Sequence, residues 1–349
     1  MSNHNKIQNF VLTFLLVLVS GTASLSSAME PEDLPGVTRP FDVFAVVWRG
    51  ETEVEAGFRE YFSQRGIPVR MTVRSLELDR GNAPPIIEEI RRTKPDLVYT
   101  WGTGATLSIL GPLNPEQPEK FVQDIPGMFV LVAYPISAKI VESFENTGRP
   151  VTGVAYLASI ESQLKAIVDY GKFQKIAVIY DQTSSNSRIN VESLKENAPK
   201  FGLELIALPI PVGENGKPDP EKLTELVQTA KSEGAQLLYM GPDSFITHHG
   251  DAYTSEAIAA GLPTFASTQA PLNGSRAMFG LVSDYHTVGK LAATQAEKIL
   301  IEKENPQDLP VVSLSRYKLW INIDVVREVM MYPPMDMIAI ADFKTSPQN

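Results

Sequence analysis

The feature that most constrains this chain is a handover near its middle, where Lys175-Ile-Ala-Val-Ile-Tyr180 runs into Asp181-Gln-Thr-Ser-Ser-Asn-Ser187. Residues 176–180 form a short unbroken apolar run rich in β-branched side chains, the pattern of a parallel strand covered on both faces. The next residues turn to hydroxyls and amides. Ile189, Leu194, Ala198 and Phe201 then recur at roughly helical spacing up to Gly202, a stop signal. A buried strand that passes to a helix in this way leaves backbone N–H groups and hydroxyls at its carboxyl end, where open α/β sheets bind ligands. The stretch is therefore both core and candidate site.

The same handover recurs along the chain. Strand patterns at 41–48, 69–73, 96–100 and 128–132 alternate with helical patterns at 52–64, 84–92 and through Leu107 and Leu110. After a break at Asn146-Thr-Gly-Arg-Pro150 the rhythm restarts. A helix at 160–170 precedes the central handover, and a strand at 203–208, a helix at 221–231, a strand at 236–240, a helix at 255–260 and a strand at 263–266 come after it. Two βα arrays predict an α/β protein of two doubly wound parallel-sheet lobes. The remainder holds a strand at 277–282, a long helix at 284–301, a strand at 317–323 and a tail, too little for a third domain. The economical arrangement returns the late helix to the first lobe and the late strand to the second. It gives a first lobe of 41–155 plus 281–310 and a second of 156–280 plus 311–335, joined by a hinge of several strands.

Composition sets the class and the address. With 349 residues, 43% hydrophobic and 21% charged, the chain can bury a core large enough for two domains. Lys6 in a polar start, an apolar block at 10–19 and Ser26-Ser27-Ala28 predict a cleaved secretory signal peptide at 1–28. The block is well short of the roughly 20 apolar residues that span a bilayer. The absence of cysteine excludes disulfides, thiolate nucleophiles, cysteine metal sites and the lipid anchor of a bacterial lipoprotein. An unlipidated protein of the periplasm is expected. A formal net charge of -10 makes nucleic acid an unsuitable partner.

Five segments come in a telling order: Tyr99-Thr-Trp-Gly-Thr-Gly-Ala-Thr106, Asp124-Ile-Pro126, Val151-Thr-Gly-Val154, Lys175 to Tyr180 with Ser184 to Ser187, and Ser283-Asp-Tyr285 with Gly289. Together they resemble the ABC-transporter substrate-binding proteins of the tryptophan/tyrosine-binding type, which look like type I periplasmic binding proteins. The resemblance covers 41–330. It implies a monomeric exported receptor without chemistry or cofactor of its own, which closes on a small molecule and delivers it to a membrane permease. It also implies ligand contacts at Thr103, Ala105 and Thr106 from the first lobe, Ser184, Ser185, Asn186 and Ser187 from the second, and Asp284 near the hinge. Two positions depart from the family pattern: Tyr134-Pro-Ile136, where an acidic residue usually precedes the proline, and Gly104, where a proline is frequent.

The residues themselves allow more than one role. Gly102-Thr-Gly-Ala-Thr106 lets backbone approach a ligand, but an ordinary helix start needs the same residues. A dinucleotide fingerprint would need glycine where Leu107 stands. Asp243 and Asp284 sit at carboxyl ends of predicted strands, where each can hold an ammonium group or cap the following helix. Trp101, Tyr134, Tyr156 and Phe279 fall at strand ends, as aromatic walls of a pocket or as core. His248-His249 and His286 lack the spacing of metal ligands and read as structural or surface. Amphoteric donors and carboxylates beside aromatics point to an aromatic amino acid. An exported hydrolase-like enzyme and the ligand-binding module of a sensor are the alternatives, although no hydrolase elbow, P-loop or metalloprotease motif occurs.

Overall fold

The structure, a computed structural model, describes residues 39–347; the expected signal peptide lies outside them. The strands are Phe41–Val47 (β1), Val69–Ser75 (β2), Leu97–Trp101 (β3), Gly127–Val132 (β4), Val151–Ala155 (β5), Lys175–Tyr180 (β6), Glu204–Pro209 (β7), Leu237–Met240 (β8), Thr264–Ala266 (β9), Phe279–Val282 (β10), Val312–Ser313 (β11), Lys318–Asn322 (β12) and Asp342–Lys344 (β13). One sheet runs β11-β5-β4-β3-β1-β2 and is parallel throughout. The other runs β13-β12-β10-β9-β8-β6-β7 and is parallel except where β12 meets β10. The doubly wound order 2-1-3-4-5 is thus built twice, once in each lobe.

The helices used below are Glu53–Gln64 (α1), Ala83–Thr93 (α2), Gly102–Ile109 (α3), Ile160–Tyr170 (α4), Ser185–Asn197 (α5), Leu223–Ser232 (α6), Ser244–His248 (α7), Gly250–Ala259 (α8), Ala270–Gly274 (α9) and Tyr285–Leu300 (α10). They start where the sequence supplies caps. Thr52 and Glu55 form a reciprocal capping box on α1, and prolines open α2. Alternate residues of each strand then enter different cores. Val43, Ala45 and Val47 of β1 pack with Phe58 of α1 and Val288 of α10, whereas Phe44 and Val46 pack with Ile86 and Ile90 of α2 and Ile109 of α3. In the second sheet Ile176 and Val178 face α4 and α5, and Ala177 and Ile179 face α6 and α8. Burial on both faces is why these strands read as continuous apolar runs. Among the described residues no helix is long and apolar enough to cross a membrane.

The chain passes between sheets after Ala155, after Val282 and after Ser313. Leu281 and Val282 stay in the second sheet and Val312–Ser313 joins the first beside β5. The expected limits at 281 and 310 therefore shift by a few residues, because strand pairing and not local composition fixes where the chain changes sheet. The expected tail also gains structure: Asp342–Lys344 pairs parallel with β12. It has only three residues, too few for a periodicity signal.

Candidate functional site

The carboxyl ends of β1, β2 and β3 face those of β6, β8 and β9 across a cavity of about 700 Å³. In each lobe the site lies at the switch point of the 2-1-3-4-5 order, where adjacent strands send their chains to opposite faces and leave a crevice.

The first-lobe wall is aromatic. Gly102 has φ +85°, a conformation that disfavours any side chain, and it lets the chain turn from β3 into α3 at once. A Cβ on Gly104 would stand 2.7 Å from the Trp48 ring, so the missing side chain is what allows that indole onto the helix. Trp101 is held from behind: its Nε1–H donates to Thr52 Oγ1 at 3.2 Å, and Thr52 is tied to Glu55, which accepts from the Tyr99 hydroxyl at 2.7 Å. Burial raises the Glu55 carboxyl, against the pull of those donors. At the far end of α3 the buried Arg149 guanidinium donates to the carbonyls of Leu110, Gly111 and Pro112, and burial lowers it to about 10. It fixes the helix whose first turn carries Thr103. Leu131, at φ +50° in a bulge of β4, also reaches the cavity. Tyr156 and Tyr285 complete this wall with ring centroids 6.2 Å apart; burial pushes both phenols up, and the Arg49 charge opposes the rise.

The second-lobe wall is polar. Ser184 caps α5 by accepting from Ser187 N at 3.4 Å, and Ser185 and Asn186 open that helix towards the cavity. Asn186 Oδ1 accepts from Thr103 Oγ1 at 3.5 Å, across the two lobes. Phe245 and His249 lie with ring centroids 4.6 Å apart, and burial, followed by the neighbouring His248, lowers His249.

Of the residues expected from sequence, Trp101, Thr103, Tyr156, Ser184, Ser185, Asn186 and Asp243 line the cavity, whereas Ala105, Thr106, Tyr134, Ser187 and Asp284 do not. Ala105 points into the core behind α3. Thr106 Oγ1 donates back to Gly102 O at 2.9 Å. The Tyr134 hydroxyl accepts from Asn190 Nδ2 at 2.7 Å, and burial pushes its phenol up to about 12. Ser187 Oγ donates to Asp243 Oδ2 at 2.8 Å. Asp284 caps α10 and pairs with Lys318. Phe279 is core. Asp243 reaches the cavity with both oxygens occupied, by Phe245 N and Ile246 N on one and Asp181 N and Ser187 Oγ on the other, so it acts as a cap.

Trp48, Arg49, Asp181, Phe245, Thr268 and Tyr285, none of them expected at the site from sequence, also line the cavity, as do His248 and His249, expected as structural or surface residues. A signal was available for two of them: Arg49 and Asp181 are the first charged residues after β1 and β6. Among the described residues no three His, Asp or Glu side chains gather as a metal site.

Known proteins share this architecture. A conserved domain protein from Vibrio cholerae superposes with a TM-score of 0.76 at 19% identity, over 87% of this chain and 99% of the other. A Streptococcus pneumonia ABC domain solved in complex with L-Trp gives 0.72 at 20% identity, over 86% and 99%. In sequence, a tyrosine-binding protein of Clostridioides difficile is 25% identical over 268 residues, 76% of this chain and 72% of that relative. Residues 56–342, which take in every strand but β1 and the end of β13 and every cavity-lining residue but Trp48 and Arg49, match the profile of the ABC transporter substrate binding proteins. The chain belongs to that family, one of binding proteins and not of enzymes.

Proposed function

We propose that the protein is the exported receptor of an ABC importer, and that it captures an aromatic amino acid between its lobes and delivers it to a membrane permease. The observation that carries this reading is the make-up of the cavity: the rings of Trp48, Trp101, Tyr156, Tyr285 and Phe245 surround a space also reached by Thr103, Ser184, Ser185 and Asn186. Its volume of about 700 Å³ suits one small molecule. Stacking on such walls contributes roughly 0.5–1.5 kcal/mol for each aromatic pair beyond the burial of apolar area. The tyrosine-binding relative and the L-Trp complex support the choice of ligand. In this reading the protein works as a monomer in the periplasm once the leader at 1–28 is removed, and its lobes close about the three chain crossings.

Calorimetry with L-tryptophan and L-tyrosine, with mass spectrometry of any molecule released by denaturing the purified protein, tests it. Saturable one-to-one binding is expected, with a melting temperature that rises with free ligand and a stabilisation of about 2.7 kcal/mol at a hundred times the Kd. Silence with both amino acids, and release of a molecule without an aromatic ring, would refute the aromatic assignment and leave family membership untouched.

A further inference from the structure

β1 and β6 hold the same place in the two sheets, each between an edge strand and the strand beyond the switch point. The charged residue that enters the cavity from β1 is Arg49, and the one that enters from β6 is Asp181. Opposite charges therefore stand at equivalent strand ends on opposite walls.

Neither charge is neutralised by another among the described residues. Among the described residues Arg49 makes no ion pair, and its guanidinium lies 5.3 Å from the centroid of the Trp101 ring. Asp181 Oδ1 accepts from Thr183 N and Thr183 Oγ1, both at 2.7 Å, while its Oδ2 has no partner there. The other charges of the cavity are accounted for. Asp243 has four donors, Asp79 and Lys217 pair with each other at 3.1 Å, and Glu77 and Arg80 are exposed at the rim. Burial, with a smaller contribution from the Asp181 charge, raises the Asp243 carboxyl.

We propose that Arg49 and Asp181 form a clamp split between the lobes, in which Arg49 takes the α-carboxylate of an amino acid and Asp181 its α-ammonium. The clamp rests on the amino-acid reading above and makes it specific. It moves the charge recognition away from Asp243 and Asp284, and it reads the zwitterion whatever the side chain. Apart from the exposed Glu77 and Arg80, each lobe alone offers one unpaired charge, so only a ligand carrying both rewards closure. An amine without the carboxylate leaves Arg49 desolvated and unpaired, and an acid without the ammonium does the same to Asp181.

The test is calorimetry on wild type, Arg49→Gln and Asp181→Asn with the common L-amino acids, and with the decarboxylated analogue of whichever binds most tightly. Glutamine keeps the stem beside Trp101 and asparagine keeps the acceptor for Thr183, so melting temperatures without added ligand should stay unchanged. Each variant should lose about tenfold to a hundredfold in affinity for the amino acid. Arg49→Gln should bind the decarboxylated analogue as weakly as wild type does, because the group Arg49 reads is gone. An amino acid held equally well by wild type and either variant would overturn the clamp alone. Binding of no amino acid by the wild type would overturn the amino-acid reading, and the clamp with it.

Discussion

Asp284 shows what a single carboxylate does when its partners are counted. Its Oδ1 accepts from Thr287 N at 2.9 Å and Thr287 Oγ1 at 2.8 Å, and its Oδ2 pairs with Lys318 Nζ at 2.9 Å. Burial by itself would raise this carboxyl, but Lys318 and the two Thr287 donors outweigh it and hold the group below its ordinary value. A depressed folded pKa means that the stability contributed is complete above the unfolded value near 3.8 and is lost as pH falls through the folded one. Asp284→Asn keeps the cap and loses the ion pair, which is partly exposed. It should cost roughly 0.5–1 kcal/mol at neutral pH. Melting curves taken from neutral to strongly acidic pH should show the two proteins converging at the acid end. Ligand affinity should not change, since Asp284 does not line the cavity; a large loss of affinity would place it in the site after all.

At the scale of elements, the pairing of α1 with α10 ties the last long helix to the first lobe. The helices touch through backbone. A Cβ on Gly57 would lie 2.1 Å from His286 O, and one on Gly289 would lie 1.9 Å from Val54 O. Neither carbonyl can move without moving its helix. The contact is flanked by Glu60, which pairs with His286 at 2.6 Å and Lys290 at 2.8 Å, and by Glu297, which accepts from Tyr61 at 2.5 Å and pairs with Arg65 at 2.8 Å. Gly289→Ala should therefore destabilise by about 3 kcal/mol, the upper part of the range for overpacking, although alanine is the better helix former. Chemical denaturation measures this, and an unchanged or raised midpoint would show that the helices can separate at little cost.

For the whole molecule, the contacts between lobes decide how easily the cleft opens. Lys217 and Asp79 bridge the mouth, Asn190 donates to Tyr134 at 2.7 Å, and Gln269 Nε2 donates to Glu53 Oε2 at 2.6 Å. The first pair is exposed and contributes at most about 1 kcal/mol, less as salt screens it. Removing it with Lys217→Gln should favour the open form, weaken ligand binding by up to about fivefold and speed release. Stopped-flow release at low and high salt checks the mechanism, because variant and wild type should converge when salt is high. A difference that persisted at high salt would mean that Lys217 acts other than as an ion pair.

The sequence by itself determined the alternation of buried strands and capped helices, since side-chain periodicity and cap chemistry act over a few residues. The runs at 96–100 and 236–240 became β3 and β8, Thr52 and Ser184 became caps, and the order of five short segments was enough to recognise the family. Which polar groups remain free was not legible. Asp181 and Asp243 both come after a buried strand and look alike in sequence, yet Asp243 accepts from Asp181 N, 62 residues away, and from Ser187 Oγ, 56 residues away, whereas Asp181 keeps an oxygen for the cavity. Ala105 and Thr106 sit one turn into α3, and only the packing of that helix on the first sheet turns them away from the cleft. Tertiary structure decided these points because the walls of the site come from strand ends in two sheets. A group's remaining hydrogen-bonding capacity is fixed by neighbours that the fold supplies from far along the chain.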